Sequence, residues 1–372
     1  MAKGARYAML LQRLSKSAQG IPMRLIHQLY QTVVIPHTLY AASIWLCPTY
    51  NAKTNTTVRG SKGTTKKIAH TQQTAMITIT GAMRSSPSDS LEVHTNLLPG
   101  PLLVQHILHN SLLHISTLLN HHPLNAIMTH IAKCGPVKRH KTALHHLLQN
   151  LTVNPLMMEV THPRPVHPVS STPFNTSIAP SKEAAIADFY RCTNHTMIFT
   201  DGSSTSGKVG AVASLYVDFT HVVTLQYHLG KDTEHTVFEA EVVGLILAAR
   251  LLLSRNEATF PATIFVNNQA VIRSGVHPTA KPGHYLLLHF RKLVRHLQDE
   301  KDLENTSINL NWIAGHANIE GNELADRKAR LAALKKDKAS PRRELPKLLR
   351  HPLPFSTSAV KQAHKDSLQK RW

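Results

Sequence analysis

Between residues 197 and 334 the hydrophobic period of the chain changes in a fixed succession that few folds can accommodate. MIFTDGS (197–203), VGAVASLYV (209–217) and HVVTLQYHL (221–229) read as three strands separated by short turns. EHTVFEAEVVGLILAARLLLSR (234–255) is too long and too apolar for a strand and reads as a buried helix. ATIFV (262–266) is a short buried strand, and a short helix follows residue 267. Residues 283–299 place Leu286, Leu287, Phe290, Leu293, Val294 and Leu297 on one helical side. INLNWIAG (308–315) reads as a strand and IEGNELADRKARLAAL (319–334) as a final helix. Hairpin-linked strands pair antiparallel, and strands separated by helices pair parallel. The expected fold class is therefore α/β, a mixed five-stranded sheet flanked by helices, preceded by a mainly α region.

The α region spans residues 1–150. Leu10, Leu11, Leu14, Met23, Leu25, Ile26, Leu29, Tyr30 and Val33 keep helical spacing, with a break expected at Pro36. Residues 51–65 read as a polar loop, 66–83 as an amphipathic helix and 100–132 as helix. Residues 151–190 read as a linker, because Pro163, Pro165, Pro168, Pro173 and Pro180 fix φ and remove backbone donors. The α/β domain is placed at 191–335, and 336–372 reads as a basic tail.

The formal net charge is +20 and is uneven. Residues 1–158 carry fifteen Lys and Arg against Asp89 and Glu92 alone, and residues 331–372 carry eleven against Asp337, Glu344 and Asp366. Such an excess favours a polyanionic partner, because neutralising phosphates releases counterions. The acids gather in the middle of the chain, where carboxylates could hold a hard cation. Three scattered cysteines, Cys47, Cys134 and Cys192, imply no disulfide framework and fit a reducing intracellular setting, nuclear or cytoplasmic. Residues 25–47 lack ionised side chains but hold His27, Gln28, Gln31, Pro36 and His37, so no membrane span is expected. His130, Cys134, His140, His145 and His146 follow no zinc-ligand spacing and read as solvated helix-face residues.

Three acids stand out. Asp201 ends the first strand in T-D-G-S, where Gly202 permits close backbone approach. Glu241 lies among apolar residues in A-E-V-V-G-L-I-L-A-A, where a carboxylate needs a partner or a metal. Glu239 points elsewhere on the helix and reads as solvated. Asp326 lies in G-N-E-L-A-D of the last helix.

With V-N-N-Q-A and W-I-A-G-H between them, these motifs resemble type 1 ribonuclease H in order, spacing and context. The nearest likeness is to the domain in polyproteins of non-LTR retrotransposons, notably fungal ones. The resemblance covers about 140 residues and implies hydrolysis of the RNA strand of RNA/DNA hybrids with two Mg2+ or Mn2+ ions. It implies Asp201, Glu241 and Asp326 as metal ligands and His316 as the mobile histidine of the family, assisting proton transfer or product release. It assigns Gly202, Ser203 and Gln269 to the hybrid's backbone and 2′-hydroxyls. Thr236 falls near a DNA-phosphate contact, and Asn322 matches a polar residue near the histidine loop. The sequence departs from the family at Asn267, which stands where a fourth carboxylate is usual. An amide oxygen can ligate a metal but carries no charge, so weakened metal affinity and turnover are expected. The alternative reading is an inactive nucleic-acid-binding protein derived from a retrotransposon.

The first region also carries a resemblance. G-I-P-M-R-L-I-H-Q-L-Y-Q-T-V-V-I-P-H, T-A-M-I-T-I-T-G-A-M-R-S-S-P and N-L-L-P-G-P-L are similar to the segment after the reverse transcriptase palm in the same polyproteins. No Tyr-x-Asp-Asp pair of polymerase acids is present, so polymerase activity is excluded for this chain alone.

Overall fold

A computed structural model describes residues 2–15, 20–135, 139–161, 172–277, 279–304 and 307–372. The chain divides into two compact units, one of residues 1–156 with 363–372, the other of residues 157–362.

The first unit is mainly helical. Its elements are α1 (Ala2–Leu14), α2 (Met23–Leu29), a π-helical turn Tyr30–Val34, α3 (Ile35–Thr38), α4 (Ala42–Trp45), a hairpin of β1 (Tyr50–Asn51) and β2 (Thr56–Thr57), α5 (Lys62–Thr80), α6 (Ser88–Thr95), α7 (Gly100–Ser116), α8 (Pro123–Cys134) and α9 (Ala143–Asn150). The break expected at Pro36 is displaced. The π turn carries the helix through Pro36, which needs no N–H in the first turn of α3. The chain turns instead at Ala41, which takes a left-handed φ of 50°. Ala8, Leu11, Ile26, Tyr30, Val34, Ala75 and Met76 form one core of this unit.

The second unit contains β3 (Asn175–Ser177), α10 (Lys182–Arg191), β4 (Thr196–Thr205), β5 (Lys208–Val217), β6 (Thr220–Lys231), α11 (Val237–Ser254), β7 (Ala262–Val266), α12 (Gln269–Val276), α13 (His284–Lys301), β8 (Ile308–Trp312) and α14 (Glu320–Leu334). The sheet order is β3-β8-β7-β4-β5-β6, with β4, β5 and β6 antiparallel and β4, β7, β8 and β3 parallel. The five expected strands are all present, and β3 adds a sixth at the edge of β8. Three polar residues, Asn-Thr-Ser, carry no hydrophobic alternation that sequence reading could detect.

Two faces of the sheet are covered. Ile198, Val243, Leu247, Leu251, Phe290 and Val294 pack α11 and α13 on one face. Met197, Phe199, Phe265, Ile319, Ala325 and Ala329 pack α14 on the other. α11 is buried almost all round, as its continuous apolar run requires.

Residues 336–372, expected as a basic tail, are divided: 336–362 belong to the second unit and 363–372 to the first. Leu345, Leu349 and Leu353 are buried in the core under α11, and α15 (Thr357–Arg371) closes the chain. The expected linker is also partly structured: Phe174 is buried in the core, and β3 and α10 follow. Pro163, Pro165 and Pro168 lie outside the described residues. Among the described residues no helix is long and apolar enough to cross a membrane.

Candidate active site

Strand register brings the first two site residues together. β4 and β7 run parallel with Thr200 opposite Val266, so Asn267, just past the end of β7, lies beside Asp201. Asp201 does not end its strand as expected, because β4 continues to Thr205 along β5. The Asn267 Nδ2 donates to Asp201 Oδ1. The Trp312 indole N–H donates to the Asn267 carbonyl at 3.0 Å and fixes the end of β7 to β8.

Small residues then bring in the third. A Cβ on Gly202 would stand 2.6 Å from the Glu241 nitrogen and 2.9 Å from the Ala240 carbonyl carbon. Only glycine lets α11 lie this close to β4, and the contact sets Glu241 beside Asp201. Asp201 is 5% exposed and Glu241 3%. Burial first, and the charge of Asp326 second, push the Asp201 carboxyl up to about 6, against the Asn267 hydrogen bond. Burial, then the Asp201 charge, hold Glu241 well above the usual carboxylate range. The Glu241 Oε2 is buried and has no hydrogen-bond partner.

Asp326 comes from the other face. A Cβ on Gly210 of β5 would meet the Ala333 nitrogen at 2.3 Å and the Ala329 oxygen at 2.7 Å, so α14 lies directly on the sheet. Arg330, one turn on, holds Asp326 through both oxygens, Nε to Oδ1 at 3.0 Å and Nη2 to Oδ2 at 2.8 Å. His316 is exposed in the β8–α14 loop with a left-handed φ of 53°, and its carbonyl accepts from Lys182 Nζ at 3.3 Å. One potential ligand atom each from His316, Glu323 and Asp326 lie within 4.8 Å of one another. Sequence reasoning singled out His316 and Asp326 and missed Glu323. Its signal was the i, i+3 spacing from Asp326 on one helix face. Arg330 was missed in the same way, one turn beyond Asp326.

The remaining predicted residues are less uniformly placed. Gly202 is buried against α11, and Ser203 is half-buried with its hydroxyl 3.3 Å from that of Thr205. Thr236 caps α11: its hydroxyl accepts the Glu239 N–H at 3.2 Å, and Glu239 Oε2 accepts the Thr236 N–H at 2.7 Å. Glu239, expected to be solvated, is instead 1% exposed. The capping box turns its side chain back over the helix start, and burial pushes its carboxyl up to about 7. Gln269 accepts from Arg273 at 3.1 Å on its own helix, and Asn322 is buried in the first turn of α14.

The donor set suits a hard divalent cation. Its atoms are carboxylate and amide oxygens, two of the carboxylates are buried against each other's charge, and one buried oxygen lacks any partner. A cation would relieve both the mutual repulsion and the missing partner.

Residues 193–334 match the RNase H family and constitute an RNase H domain. Among solved structures, the prototype foamy virus protease–reverse transcriptase is similar at 18% identity and a TM-score of 0.30, over 38% of this chain and 21% of that chain. RNase H1 from the halophilic archaeon Halobacterium salinarum NRC-1 is similar at 18% identity and a TM-score of 0.28, over 37% of this chain and 96% of that one. LC11-RNase H1 in complex with an RNA/DNA hybrid is similar at 19% identity and a TM-score of 0.29, over 37% and 98%. The chain thus spans about a fifth of the foamy virus protein. No curated protein matches it in sequence.

Proposed function

We propose that the RNase H domain is a metal-dependent endoribonuclease that cuts the RNA strand of RNA/DNA hybrids, with turnover attenuated by Asn267. The observation that carries this reading is the buried carboxylate pair Asp201 and Glu241, whose unpartnered oxygen lies within an RNase H domain. Asp201, Glu241, Asp326 and the amide oxygen of Asn267 would hold Mg2+ or Mn2+, two ions in an active centre. Bound there, such ions activate water and stabilise charge on the leaving oxygen.

The residues of the chain supply the rest. Asp201 occupies the centre, within β4, the strand against which both α11 and α14 pack. Glu241, held in place by α11, keeps a carboxylate where water is excluded. His316, exposed on its loop, carries a proton or assists product release. Gly202, Ser203, Gln269, Thr236 and Asn322 are assigned to the hybrid, whose 2′-hydroxyls and shape select RNA with little base preference. To ligate a cation, Asn267 must turn its amide oxygen inward and give up its bond to Asp201.

Two contacts favour a second reading, a hybrid-binding domain that does not cut. The Asn267 amide and the Arg330 guanidinium already occupy Asp201 and Asp326, the carboxylates a cation needs. For residues 1–150 we propose a remnant of the post-palm region of a retrotransposon reverse transcriptase, of the fungal non-LTR type. The motifs in the sequence are its support.

The test is cleavage of an end-labelled hybrid in Mg2+ and in Mn2+, beside Asp201→Asn and Glu241→Gln. Cleavage by the natural protein that both substitutions abolish supports the nuclease. Cleavage that survives Asp201→Asn contradicts it, and hybrid binding without cleavage establishes the second reading.

A further inference from the structure

The first unit carries a basic face that the RNase H domain does not explain. The helix α5 buries Thr65, Ile68, Gln72, Ala75, Met76 and Ile79 along one side, and Thr78 off that side near its C-terminal end. At 100° per residue, Lys62, Lys66, Lys67 and His70 fall on the opposite side. All four are exposed, and exposed Arg59 precedes them in the loop from β2. The buried stripe fixes the rotation of α5, so the cations cannot turn inward.

The acids of this unit are Asp89, Glu92 and Asp366. No Asp or Glu occurs in the chain before Asp89. Asp89 and Glu92 lie on α6, whose Leu91 packs into the cluster of Ala75, Met76 and Ile79 at the other end of α5. Among the described residues, Arg59, Lys62, Lys66 and Lys67 form no ion pair. Lys53, nearby in sequence, is different: its ammonium donates to the Leu148 carbonyl at 2.7 Å and is used by the fold.

We infer that the Arg59–His70 face of α5 is a docking site for a nucleic-acid phosphate backbone, separate from the residues proposed to cut. Clustered like charges without counter-ions repel, and the cost is relieved when they share a line of phosphates and release its condensed counterions. Successive cations one helical turn apart, Lys62 and Lys66, are separated by a rise of about 6 Å, so several of them can face phosphates of one backbone at once. The face is dominated by cations, with the His70 imidazole beside them, so it reads charge more than sequence. Its occupant is a polyphosphate chain whether or not the second unit cuts it.

The experiment compares the full chain with Arg59→Gln/Lys62→Gln/Lys66→Gln/Lys67→Gln, measuring anisotropy of a labelled 30-base-pair RNA/DNA hybrid and a DNA duplex. EDTA is present throughout, so binding is read without cleavage and independently of the nuclease. A control variant, Arg24→Gln/Arg84→Gln/Lys133→Gln/Arg139→Gln, removes the same charge from other exposed positions of the unit. The α5 variant is expected to bind at least about tenfold more weakly near 0.1 M salt. Its log–log salt slope should fall by up to about 3.6, at roughly 0.9 per neutralised phosphate contact. The control should lose markedly less. Equal loss in the two variants overturns the site, because binding is then spread over the unit. Unchanged duplex binding overturns it too, including the case where only binding to vesicles of 30% phosphatidylserine is lost, which would identify a membrane surface.

Discussion

Asp201 within β4 and Asn267 just past the end of the parallel β7 lie side by side, and that adjacency gives the site its character. There a carboxylate and an amide are bonded to each other. The Asp201 carboxyl nevertheless titrates at about 6, because burial outweighs the amide. Its folded value exceeds the unfolded value near 4, so the folded state binds protons more tightly between those limits. With divalent ions chelated, stability should therefore fall as pH rises from about 4 to about 6. For a carboxyl as buried as this one, a rise from near 4 to about 6 corresponds to roughly 2–3 kcal/mol. Asp201→Asn should remove this part of the pH dependence in urea titrations, and an unchanged profile would count against the burial argument. At this scale the sequence singled out Asp201, Glu241 and Asp326 as candidates and Asn267 as the departure from the resembled pattern. It did not show Glu239 buried, since a capping box reads as a solvated first turn until the covering elements are known. Nor did it show Arg330 on Asp326, one of many i, i+4 pairings open to a charged helix.

The helices reach the sheet only where side chains vanish. Gly210 admits α14 and Gly202 admits α11, so the site depends on two close approaches as much as on its acids. Gly210→Ala should push α14 outward, because its Cβ would meet backbone atoms that cannot rotate away. A loss of about 1–3 kcal/mol in chemical denaturation is expected, together with weaker Mn2+ binding, since Asp326 travels with α14. Full retention of both would show that α14 is not held by this contact. Element order was legible throughout residues 196–334 because periodicity switches cleanly from two to 3.6. The strand β3 and the buried leucines of 345–353 were not. The first is too short and polar to alternate, and the second lie among lysines, arginines and prolines that read as a solvated tail.

Across the whole molecule, the last ten residues of the chain belong with the helical unit. Leu368 is buried there, and the His364 ring stacks on His109 at 3.7 Å between centroids. Leu368→Ala should destabilise that unit by about 2–4 kcal/mol, a value read from its melting transition, while hybrid cleavage by the other unit is retained. Burial, then neighbouring histidines, lowers His109 to about 3; burial, then His106 and Arg371, lowers His364 to about 4. Both lie below the unfolded value near 6.5, so their contribution is intact above that pH and is lost as pH falls toward about 4. His109→Phe should flatten that acid loss of helical signal in circular dichroism, and an equally steep loss would place its origin elsewhere.

The central claim is that an RNase H centre survives here with one ligand weakened. The most direct measurement is the single-turnover rate of hybrid cleavage by the natural protein and by Asn267→Asp, at equal Mg2+. Restoring one carboxylate should raise the rate at least about tenfold, the effect of about 1.4 kcal/mol at the barrier. A folded Asn267→Asp protein that cuts no faster than the natural one would contradict the claim.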